Sequence, residues 1–122
     1  MSRIPWRRII VEQLQLLESE AKQLEYEKAV PHVDITKELL CGWFDDTYHP
    51  EAEDFLINFS NEERQELASF NSVFSEQVPI LPHSQGTVRT WHLSPQWGEV
   101  MSSAKRALAV LNTSAPATLW AP

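Results

Sequence analysis

One short stretch gathers most of the chain's possible chemistry. Asp45, Asp46, Glu51, Glu53 and Asp54 lie within ten positions, interleaved with Trp43, Phe44, Tyr48 and His49. Two chemistries are open to such a set. Asp45, Asp46, His49 and Glu53 are hard oxygen or imidazole ligands that could hold a metal ion or serve a hydrolase. Ordered calcium loops, however, alternate their ligands and need a glycine at the sharp turn. This stretch has no glycine and carries Pro50. Zinc hydrolases show helical spacings such as H-E-x-x-H, and none occurs here. The second chemistry is recognition. Carboxylates speed the encounter with a basic protein and align the two surfaces, while aromatic anchors supply most of the contact energy. The residues expected to meet such a partner are Trp43, Asp45, Asp46, Tyr48, Glu51, Glu53 and Asp54. A competing reading makes the aromatics core residues beneath a solvated loop, because Trp and Phe are highly buried on average.

Other reactive arrangements are weaker. Cys41 is the only cysteine, which excludes an intrachain disulfide and a cysteine-rich zinc site. A catalytic thiol needs nearby positive charge to depress its pKa, and Cys41 stands in acidic surroundings. His32, His49, His83 and His92 are scattered. No G-x-S-x-G elbow, P-loop or G-x-G-x-x-G occurs, and three glycines leave little for a phosphate cradle. Neither an enzyme nor a cofactor is expected.

The charge balance supports recognition. Seventeen acidic side chains face ten basic ones, for a net charge of −7. Residues 34–76 hold eleven of the acidic groups against Lys37 and Arg64 alone. So acidic a chain is repelled by a phosphate backbone, which argues against nucleic acid. The basic start, with Arg3, Arg7 and Arg8, sits where a helix dipole disfavours positive charge. The simple account is a frayed terminus or a meeting with the chain's own acidic middle. The apolar run behind these arginines ends at Glu12, too short for a secretory signal or a membrane-spanning helix. A cytoplasmic protein with no membrane attachment is expected.

The elements that must position these groups read as helices. With 122 residues and 14.0 kDa, area scaling gives roughly 20,000 Å² exposed unfolded and about 6,700 Å² folded, enough for one core. Ile10, Leu14, Leu17, Ala21 and Leu24 form one stripe, predicting a helix of about twenty residues from Trp6. The stripe also raises pairing with a second chain, hence a structural homo-oligomer through the first helix as a further alternative. Asp34 caps a short second helix through Ile35, Leu39, Leu40 and Trp43 that ends near Asp45. Residues 46–54 read as a connector, and Phe55–Phe59 as a short helix or an extended piece. Ser60-Asn61-Glu62-Glu63 is a capping box opening a helix with core positions Leu67, Phe70, Val73 and Phe74. Val88–Leu93 reads as a short strand without a partner. Ser94 and Pro95 open a last helix on Trp97, Val100, Met101, Ala104, Leu108 and Leu111. The expected fold is all-α, a compact bundle of four to five helices with proline-containing loops. It comprises one domain over residues 1–111 and a flexible C-terminal tail over 112–122.

The run Trp43-Phe44-Asp45-Asp46-Thr47-Tyr48-His49-Pro50, followed by Phe59-Ser60-Asn61-Glu62-Glu63, resembles a family of short, acidic, uncharacterised bacterial proteins. Ser94-Pro95-Gln96-Trp97 fits the same pattern, so the likeness spans roughly residues 38–111. That family has no assigned activity and implies no catalytic residues. In size and charge the chain is also similar to bacterial immunity proteins, which neutralise a basic toxin domain by masking its site. The expectation is a non-enzymatic interaction module, monomeric or homodimeric, with an acidic docking surface for a basic protein partner.

Overall fold

A computed structural model describes residues 4–82 and 87–114. It contains seven α-helices and, among the described residues, no strand. They are α1 (Trp6–Leu17), α2 (Glu20–Ala29), α3 (Ile35–Cys41), α4 (Glu53–Leu56), α5 (Asn61–Gln77), α6 (Val88–His92) and α7 (Pro95–Ser114). A π-helical segment, Gly42–Thr47, continues α3, and a 3₁₀ turn, Val78–Ile80, follows α5. The all-α expectation holds, with more helices than four or five because one predicted helix is broken and two single-turn helices are added.

The break falls at Ser19. Its backbone turns extended, and its hydroxyl accepts from Lys22 N at 3.1 Å to cap α2. The predicted stripe ends there: Leu14 and Leu17 are buried, whereas Ala21 is exposed and Gln23 is the buried residue of α2. Gln23 makes the break stable. Its Nε2 donates to Leu16 O at 2.9 Å and Leu17 O at 3.1 Å, satisfying carbonyls that the end of α1 would leave open.

Other boundaries follow local capping chemistry. Asp34 caps α3, and the hydroxyl of Thr36, donating to it at 2.7 Å, is the main cause of its lowered pKa. Ser60 and Glu63 form the reciprocal capping box at α5. Ser94 Oγ accepts from Trp97 N at 3.1 Å as Pro95 opens α7. Val88–His92 is a helix and not a strand. Its first amide, Val88 N, donates to Glu27 Oε2 of α2 at 2.8 Å, a cap supplied from 61 positions away. Helix α7 runs through Ser114, past the predicted tail boundary at 112; residues 115–122 lie outside the described residues, as do Arg3 and residues 83–86.

Helix α7 is the central element. Trp97, Val100, Ala104, Ala107 and Leu111 form its buried stripe, and Met101 and Leu108 flank it half-buried. It packs on both α1 and α5. Phe74, late in α5, meets Trp97 at the start of α7, while Arg7 near the start of α1 reaches Leu111 O at the far end. Both helices therefore run antiparallel to α7. The π segment fills the space between α1 and α5: Gly42 lies against Gln13, and Trp43 against Phe70 and Asn71.

One buried ion pair ties the helix starts together. Arg7 donates to both carboxylate oxygens of Glu63, to Asn58 O at 2.9 Å and to Leu111 O at 3.3 Å. The side chain of Glu63 is 3% exposed and that of Arg7 13%. Arg7 thus meets the chain's own acidic middle, as the simple account of the basic start expects. Among the described residues, no helix is long and apolar enough to cross a membrane.

Candidate functional site

The acidic stretch begins in the π segment. Tyr48 N donates to Trp43 O at 3.0 Å, an i→i+5 bond that closes the widened turn. That turn buries Trp43 and Thr47 and leaves Asp45 and Asp46 exposed. Trp43 is fully buried, its Nε1 donating to Asn71 Oδ1 at 3.0 Å and its ring stacked on Tyr48 with centroids 5.0 Å apart. It therefore cannot touch a partner, and its expected role at the surface is corrected to that of a core anchor. Tyr48 is half-buried, and its pKa is raised chiefly by that burial and then by the charge of Glu51.

Beyond the turn, the chain passes over α1. His49 packs edge-on against Trp6 with centroids 5.0 Å apart, and its Nδ1 lies 3.6 Å from Glu51 Oε2. Phe55 is buried against Trp6 and Tyr48. Glu53 and Asp54 occupy the first turn of α4, where negative charge suits the positive end of the dipole. Asp54 Oδ2 also accepts from Trp6 Nε1 at 3.4 Å.

The five expected carboxylates, Asp45, Asp46, Glu51, Glu53 and Asp54, are all exposed. Among the described residues, no lysine or arginine forms an ion pair with any of them. Trp6, Trp43, Tyr48 and Phe55 pack together beneath the stretch, and its five carboxylates are exposed. Ile57, just past α4, adds an apolar side chain that is 69% exposed.

The metal reading finds no geometry to use. Among the described residues, no group of three or more His, Cys, Asp or Glu side chains is placed to hold an ion. Cys41 is half-buried, and its pKa is raised first by desolvation and then by the neighbouring Asp45 carboxylate. A raised thiol pKa is the opposite of what nucleophilic chemistry needs. The stripe of α1 that raised chain pairing is spent internally, since Ile10, Leu14 and Leu17 are all fully buried within the one chain.

Sequence reasoning missed a second polar centre. Gln23, His92 and Trp97 meet at the far end of α1: Gln23 Oε1 accepts from Trp97 Nε1 at 3.1 Å and lies 2.7 Å from His92 Nε2. The signal available was Ser19, a good cap residue in the middle of an apparent helix. Compared with models of protein families, with curated proteins and with solved structures, the chain matches none.

Proposed function

We propose that the protein is a non-enzymatic interaction module whose acidic stretch, residues 45–54, docks a basic protein partner. Neutralisation of a cationic toxin domain, as by a bacterial immunity protein, is the specific form of this reading. The observation that carries it is the exposure of Asp45, Asp46, Glu51, Glu53 and Asp54 with no lysine or arginine of the described chain paired to them. Carboxylates left unneutralised on an ordered aromatic backing keep their field for an incoming cation. Tyr48 and Ile57 supply apolar contact beside them, in place of the buried Trp43.

The test is a pull-down with the immobilised protein from lysate of its own source, at low and at high salt, followed by kinetics on the captured protein. A cationic protein is expected at low salt and lost at high salt. The triple reversal Asp45→Lys/Asp46→Lys/Glu53→Lys slows association by at least about tenfold with little change in dissociation. Glu99→Lys, on exposed α7 surface, leaves the rate nearly unchanged. Recovery of nothing at low salt, or equal association rates for the triple variant and the wild type, overturns the proposal.

A further inference from the structure

The end of the bundle built from α2, α6 and the start of α7 carries a histidine that the acidic stretch does not use. His92 closes α6, and its side chain is 5% exposed. The amide of Gln23 that faces it cannot be turned around: its Nε2 donates to Leu16 O and Leu17 O, and its Oε1 accepts from Trp97 Nε1. An amide oxygen 2.7 Å from His92 Nε2 requires a proton on that nitrogen. The hydrogen-bond network thus assigns the neutral ring to the Nε2–H tautomer. A second proton must enter at Nδ1, where the nearest carboxylate oxygen, of Glu20, is 3.6 Å away on a side chain 59% exposed. Among the described residues, the other charges that act on the ring are Glu27 of α2 and Arg89 of α6 itself, while α7 presents the uncharged Trp97 indole. Glu27 meanwhile accepts from Val88 N at the start of α6. Helix α6 is therefore fastened to α2 at both of its ends.

We propose that this joint is an acid-operated latch, in which protonation of His92 at Nδ1 frees α6 from α2 and parts Trp91 from Trp97 while the α1–α5–α7 core stays folded. The closed joint must hold the cation on a side chain 5% exposed, with the carboxylate nearest to Nδ1, that of Glu20, 59% exposed and weakened by solvent, whereas an open joint gives the cation to water. In keeping with this, burial lowers the pKa of His92 from its ordinary 6.5, against smaller upward pulls from Glu20 and Glu27. The open form takes up the proton near 6.5 and the closed form only at lower pH. The contribution to closure is thus complete above the open-form value and is lost as pH falls toward the closed-form value. Across that window the opening constant rises by up to about tenfold per pH unit and then levels off. The consequence is controlled exposure of the Trp91 ring, which in the closed joint is 1% exposed and 4.5 Å from that of Trp97.

The test is amide hydrogen exchange on the full chain, from about pH 7.5 to about pH 4.5 to span the imidazole and carboxylate ranges, with the His92 ring signals followed in parallel. After correction for intrinsic exchange, protection at Val88 N–H, Leu93 N–H and the Trp91 indole N–H falls by up to about tenfold per pH unit, its onset tracking the His92 titration. Leu67 and Phe70 in α5 keep their protection. His92→Gln retains an N–H donor toward Gln23 and does not titrate, so its protection is flat over the same range. Three results overturn the latch: parallel loss in α5, an equally steep loss in His92→Gln, or a wild-type transition that does not follow the His92 ring signals. If His92→Gln does not fold, agreement or disagreement between the wild-type transition and the His92 signals decides the question.

Discussion

Gln23→Leu tests the polar joint at the end of α1. The side chain it removes makes four hydrogen bonds: two to the closing carbonyls of α1, one from Trp97 Nε1 and one with His92 Nε2. Leucine is close to glutamine in volume, so the cost is polar and little of it is cavity. Leu16 O keeps a contact with Ser19 N at 3.4 Å, and His92 can shift toward solvent, so the main losses are at Trp97 Nε1 and Leu17 O. A buried polar group left without its partner costs about 1–3 kcal/mol. With a smaller contribution from His92, the sum is about 3–5 kcal/mol, a large fraction of the roughly 5–15 kcal/mol typical of a domain. An unfolding entropy of about 2.1 cal/mol/K per residue converts that to a fall in Tm of about 12–20 °C. Thermal denaturation followed by circular dichroism and a urea titration with unchanged slope measure it. A loss below about 1 kcal/mol would refute the reasoning, because it would mean that these four bonds are readily replaced by water.

Two more substitutions test other joints. Glu63→Gln keeps an acceptor for Ser60 N but leaves the Arg7 charge in a site where its own side chain is 13% exposed, and is expected to cost about 3 kcal/mol. Adding Arg7→Met recovers part of that loss, giving a coupling above about 1 kcal/mol in a double-mutant cycle by urea denaturation; additive losses would contradict a coupled pair. Gly42→Ala places a Cβ 2.8 Å from Gln13 Nε2, the free end of a flexible side chain, at a backbone φ of −57° that alanine adopts readily. The variant is expected within about 1 kcal/mol of wild type, the gain in helix propensity offsetting the shift of Gln13; a urea-measured loss above about 2 kcal/mol would show that Gln13 is fixed.

What the sequence made legible was set by the range of the interactions. Asp34, the Ser60–Glu63 box and Ser94-Pro95 mark helix starts correctly because a cap and its target lie within three residues. Residues 88–93 misled because Val, Thr and Trp favour a strand locally, while the Glu27 carboxylate that closes the helical alternative comes from α2. The first helix misled for a similar reason. Ala21 and Leu24 extend the apolar period past Ser19, yet the deciding bonds run from the Gln23 side chain back to Leu16 and Leu17. Within the acidic stretch, exposure of the carboxylates was legible from their charge. The inward turn of Trp43 was open to either reading, because an i→i+5 turn shifts the phase that a helical count assumes.

That turn also bears on how cleanly the docking proposal can be tested. Trp43, Tyr48, Phe55 and Trp6 hold the stretch in place through contacts that involve none of Asp45, Asp46 and Glu53. Those three carboxylates stand exposed near Glu51 and Asp54 in sequence, without cations of the described chain, so like charges repel along ten residues. Replacing them with lysine relieves repulsion instead of removing support, although Glu53→Lys gives up a favourable position at the start of α4. The reversed protein should therefore melt within about 1 kcal/mol of wild type, since surface charge changes rarely exceed that. With folding held constant, a slower association reports the electrostatic encounter itself. On the docking proposal, a cationic partner turns that mutual repulsion into binding.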